Sequence, residues 1–89
     1  SGKIKLDTLR KITSIFINEN YTILQARFYI GQTDLQESLI KSKYFDRNLK
    51  ELWKRIVPNC TISIDNIEFM DKSGNRYFYP KPITLIAVQ

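Results

Sequence analysis

The chain has 89 residues, a formal net charge of +5, one cysteine and no histidine. That length supports a single domain with a modest core. The absence of histidine excludes Ser–His–Asp chemistry, and one cysteine, Cys60, leaves neither an internal disulfide nor a structural zinc site. No apolar run approaches the roughly 20 residues of a membrane helix. No phosphate loop, EF-hand or dinucleotide fingerprint occurs, so no cofactor, metal or catalytic residue is expected.

The start, Ser1-Gly2-Lys3, has no initiator methionine. Residues 1–2 read as a remnant of tag removal, and residues 3–89 as one β-rich domain cut from a longer protein. Residues 3–6 suit an edge strand, and Asp7 is placed to cap one helical turn. Residues 11–18 are rich in β-branched side chains, with Thr13, Ile15 and Ile17 on one parity and Ile12 and Phe16 on the other. This predicts a strand covered on both faces, or one whose outer face meets a partner. Residues 21–30 form the clearest amphipathic strand. Leu24, Ala26, Phe28 and Ile30 share one face, Gln25, Arg27 and Tyr29 the other, and Ile23 is the exception. Gly31 should end that strand, and residues 31–42 read as a loop with one helical turn.

Residues 46–56 predict a helix, because Phe45, Leu49, Leu52, Trp53 and Ile56 fall on one stripe. Asp46 with Lys50, and Glu51 with Arg55, are acid-before-base pairs at i, i+4. Pro58 stops the helix. The rest of the chain is a meander. Within residues 60–70, Cys60, Ile62 and Ile64 share one parity while Ile67 and Phe69 share the other. One extra residue at Asp65-Asn66, a β-bulge, restores the alignment. Gly74 supplies the positive φ of the next turn. Residues 76–79 and 83–88 return as strands, with Ile83, Leu85 and Ala87 facing away from Thr84, Ile86 and Val88. Pro80 and Pro82 mark an edge or a crossover between them.

Three constellations are candidates for function. Tyr77 and Tyr79 face together, with Phe78 turned to the core. The tyrosines make either a surface pair for a protein partner or a ladder against Tyr29. Lys41, Lys43, Arg47, Lys50 and Lys54 are the densest basic set. Arg47, Lys50 and Lys54 share a helix face that suits an anion or phosphate, although such a face is more often simply solvated. Asp65 and Glu68 flank the bulge as a weak candidate cation site, and together with Cys60 they are the best residues an enzyme reading can offer.

The order of these features resembles the C-terminal domain of the GldM/PorM family of Bacteroidetes gliding motility and type IX secretion. The likeness lies in the strand over 21–30, the helix over 49–56 and the run Ile62-Ser63-Ile64-Asp65-Asn66-Ile67. It continues in the turn Asp71-Lys72-Ser73-Gly74-Asn75-Arg76 and the final strand Pro82-Ile83-Thr84-Leu85-Ile86-Ala87-Val88. The resemblance implies an immunoglobulin-like or related β-sandwich. It would be the membrane-distal part of a periplasmic, inner-membrane-anchored dimer that contacts envelope proteins.

The expectation is therefore a mostly β, sandwich-like domain with one short crossover helix. Its expected role is non-catalytic protein interaction or structure in the bacterial envelope. Alternatives are a secreted or periplasmic binding module of unrelated role and a nucleic-acid-binding module using the basic helix face. Strand order stays open, since a sandwich and an open sheet with a helix on one face share this pattern.

Overall fold

A computed structural model describes residues 2–89. The tag-remnant reading thus falls partly on Ser1, outside the described residues. The elements are β1 (Gly2–Lys5), α1 (Leu6–Arg10), β2 (Tyr21–Gly31) and β3 (Gln36–Ile40), then α2 (Arg47–Lys54), β4 (Thr61–Asp71), β5 (Arg76–Phe78) and β6 (Ile83–Val88). Strand outweighs helix, 48% to 15%, so the mostly β class holds. The strands build one open sheet in the order β1-β6-β4-β2-β3. This is the arrangement the pattern admitted beside a sandwich, and helices with the segment between α1 and β2 supply the second layer. β5 and β6 lie end to end along the same side of β4, pairing with residues 68–70 and 61–64 respectively. β3 and β4 both run antiparallel to β2, so α2 is the crossover that carries the chain between them.

One face of the sheet is covered. Ala26, Phe28 and Ile30 of β2, Ile62 and Ile64 of β4, Ile40 of β3 and Ala87 of β6 are buried there against Leu9, Phe45, Leu49, Trp53 and Ile56. Phe28, Phe45 and Trp53 form a triangle of edge-to-face contacts with centroids 4.8–6.0 Å apart. Each such pair adds about 0.5–1.5 kcal/mol beyond its area. The other face is wet and mixed, as the alternation in β2 predicts. Gly31 ends β2, and adding a Cβ there would bring it 2.5 Å from the Asp34 carbonyl oxygen.

The β4 bulge is present where the parity change placed it. Gln25 pairs with Glu68 but Arg27 pairs with Asp65, so β4 carries one extra residue between them. Asn66 takes φ +51°, the left-handed conformation that asparagine tolerates better than most side chains. A second irregularity lies at Leu24 in β2, between Ile23 and Gln25. It explains the Ile23 exception: the extra residue returns Ile23 to the covered face, where it is buried, and leaves Leu24 half-buried.

Several local expectations are corrected. Residues 11–18 are not a strand. They cross the covered face, because the chain must travel from β1 at one edge to β2, three positions along the sheet. Only a Ser14–Tyr44 bridge forms, flanked by the Ile15 amide donating to the Lys43 carbonyl and the Phe45 amide to the Thr13 carbonyl. Tertiary path overrides β-propensity here. Residues 36–40 are a strand, not a loop. Ser38 occupies a core position and hides the alternation; it is buried, and the Asn48 Nδ2 donates to its hydroxyl at 2.9 Å. Asp7 sits in the first turn of α1 but makes no cap. Asp46 does cap α2, accepting from the Leu49 amide at 2.9 Å. Neither i, i+4 acid–base pair forms a salt bridge; Glu51 instead meets Lys54 at 3.6 Å on the surface.

Candidate functional site

The aromatic residues gather at one end of the covered face, past the reach of α2. Tyr77 of β5 lies opposite Phe69 of β4, which lies opposite Ile23 of β2. The Phe69 and Tyr77 rings stack at 5.6 Å, and Tyr21 meets Phe69 edge-on at 5.3 Å. The Tyr79 amide donates to the Ile67 carbonyl and holds the chain against β4 one residue past β5. The crossing segment lays Phe16 and Ile17 beside this group. On one side of it is a hollow of about 450 Å³ that includes Tyr21 and Tyr44. On the other is a hollow of about 270 Å³ that includes Ile67, Tyr79 and Ile83. Lys43 stands 5.1 Å from the Tyr44 ring centre and 6.0 Å from that of Phe16, within cation–π range.

The β4–β5 turn fixes Tyr77. Asp71 accepts from the Ser73 and Asn75 amides, both at 2.9 Å, and from the Tyr77 hydroxyl at 3.2 Å. The Asn75 amide is the main reason its carboxyl is held below the ordinary value. The same carboxylate raises the Tyr77 hydroxyl above the usual tyrosine value, chiefly through their hydrogen bond. Gly74, at φ +88°, makes the turn as expected.

Of the predicted interface residues, Tyr77 and Tyr79 belong to this surface and Tyr29 does not. Tyr29 lies on the wet face, beside the Arg27 guanidinium at 5.4 Å from its ring centre. The ladder against Tyr29 is therefore ruled out by register, since Tyr29 pairs with Ser63 on one face and Tyr77 with Phe69 on the other. Phe78 is not core. It shares the wet face with Glu68 and is 57% exposed. Phe16, Tyr21 and Tyr44 were not singled out as interface residues. The mixed parity of residues 11–18 signals Phe16 alone, since Tyr21 and Tyr44 lie outside that run.

The basic set divides. Lys50 and Lys54 line a cavity of about 340 Å³ together with Arg10, Ile12, Thr13, Phe45 and Trp53. Arg47 is not part of that lining; Arg10, 40 residues away from Lys50 in the chain, takes its place. Lys43 belongs to the aromatic surface instead.

Asp65 and Glu68 do reach one face through the bulge, but the Asp65 carboxylate is already taken up there. Arg27 grips both Asp65 oxygens, at 2.9 and 3.3 Å. That hydrogen bond also raises the Arg27 pKa. Cys60 is buried, and among the described residues no group of three or more His, Cys, Asp or Glu gathers to hold a metal. Among those residues, no helix is long and apolar enough to cross a membrane. No protein-family profile matches the chain, and no curated protein matches it.

Proposed function

We propose that this is a non-catalytic protein-interaction domain of a bacterial cell-envelope protein, docking a partner through the surface of Phe16, Ile17, Tyr44, Tyr77 and Tyr79. The observation that carries this reading is the exposure of that group. Phe16 is 66% exposed, Tyr44 62%, Tyr79 48% and Tyr77 45%. Scattered exposed apolar residues need no explanation, but a contiguous aromatic group beside two hollows has the composition of an interface core. Tyr77 is held by stacking on Phe69 and by the Asp71 bond, so it loses little side-chain entropy on docking. The periplasmic setting, and a role like that of the GldM/PorM domains, rest on the sequence resemblance.

The test places a photoreactive amino acid at position 16, 79 or 29 of the parent protein in its own cells. Positions 16 and 79 should each crosslink to the same envelope protein, and position 29, on the opposite face, should not. Equal capture from position 29, or capture of nucleic acid alone, would overturn the reading.

A further inference from the structure

The cavity between α1, the crossing segment and α2 differs in kind from the aromatic surface. Its floor is Ile12, Phe45 and Trp53, and its mouth carries Arg10, Lys50 and Lys54. The volume of about 340 Å³ lies at the small end of the range for ligand pockets, roughly 300–1,000 Å³. No acid lines it. Lys54 does meet Glu51 at 3.6 Å, but both side chains are largely exposed, and such pairs hold weakly. One Arg10 nitrogen donates to the Ile56 carbonyl at 3.4 Å, which leaves the other guanidinium donors free.

Lys50 and Lys54 stand one turn apart on α2, and α1 brings Arg10 to the same opening. Like charges at that spacing repel. An anion at the mouth removes the repulsion and an apolar body fills the floor. A simple phosphate would use only the rim, and a neutral hydrocarbon only the floor.

We propose that this cavity binds a small amphipathic carboxylate. Its apolar body lies against Trp53, Phe45 and Ile12, and its carboxylate lies between Arg10, Lys50 and Lys54. The proposal is independent of the interface reading, since the two sites share no residue.

Trp53 is the single tryptophan of the chain, so its fluorescence reports on the cavity floor directly. The experiment titrates the intact domain with octanoate, 1-octanol and octyltrimethylammonium, all below their aggregation limits. Amide chemical shifts are followed in parallel. Octanoate should give a saturable change in Trp53 emission and shift Ile12, Thr13 and Phe45. Its affinity should exceed that of octanol at least ten-fold and fall with added salt. The doubly substituted Arg10→Gln, Lys50→Gln domain should bind octanoate no better than octanol. Both residues are exposed, so the fold survives their replacement, which circular dichroism checks. Equal binding of octanoate and octanol to the parent domain would overturn the proposal. So would shifts confined to Phe16 and Tyr79, or no saturable response at all.

Discussion

The Trp53 indole Nε1 donates a 2.8 Å hydrogen bond to the carbonyl of Leu9, 44 residues away in the chain. This bond ties α2 to the end of α1 across the floor of the basic cavity. The Leu9 carbonyl also accepts from the Ile12 amide at 3.0 Å, so it keeps one partner if the indole is lost. Trp53→Phe should therefore cost about 1–3 kcal/mol, from one net hydrogen bond and a partial void. Trp53→Ala should cost about 3–5 kcal/mol. A domain of this length has only about 4–13 kcal/mol of stability, so the alanine variant is expected to lie near the unfolding threshold. Urea unfolding followed by circular dichroism measures both.

Asn66 is exposed and left-handed at the β4 bulge. Replacement by glycine should be neutral or nearly so. Asn66→Val places a β-branched side chain at positive φ and should destabilise by about 1–2 kcal/mol. Equal stability of the two variants in a thermal melt would show that the bulge does not depend on that backbone conformation.

Ser38 and Asn48 should respond unequally to truncation. Asn48→Ala leaves the buried Ser38 hydroxyl without its partner, a loss of about 1–3 kcal/mol. Ser38→Ala leaves only the exposed Asn48 amide, which water satisfies, so the loss should stay below about 1 kcal/mol. Paired denaturation curves decide the order.

Asp71 makes the β4–β5 turn sensitive to acid. Its folded carboxyl lies below the ordinary value, so its contribution is fully present above the unfolded carboxylate range. That contribution is lost as pH falls through the folded value. Asp71→Asn should flatten the acid limb of a stability–pH curve. Tyr77→Phe should bring the Asp71 pKa only part of the way back, because the Asn75 amide is the larger cause. Denaturation at a series of pH values reads the first effect, and NMR titration of the Asp71 carboxyl reads the second. Both variants keep the aromatic ring of residue 77, so a loss of turn order can be told from a loss of surface.

The helix, the β4 bulge, the Gly31 strand end and the Gly74 turn were all legible in the sequence. Each is set by the backbone geometry of a few neighbouring residues. The stripe through Leu49 and Trp53 needs only a period of 3.6, and the bulge needs only the parity break between Ile64 and Ile67. β3 was illegible because a serine with a remote partner stood at its core position. Residues 11–18 misled because β-branched side chains suit any extended segment, whether or not it joins a sheet.

By itself, then, the sequence determined a mostly β domain with one amphipathic helix and an inward face for each long strand. Tertiary structure decided which residues meet. Strand order and the two irregularities in β2–β4 pairing set Tyr29 on the face opposite Tyr77, and the path of residues 11–18 brought Phe16 to the tyrosines. The docking of α1 on α2 set Arg10 beside Lys50 and Lys54. Periodicity along a chain records which way each side chain points. It carries no record of which distant segment will lie beside it, because that depends on register and on how the whole apolar face is covered.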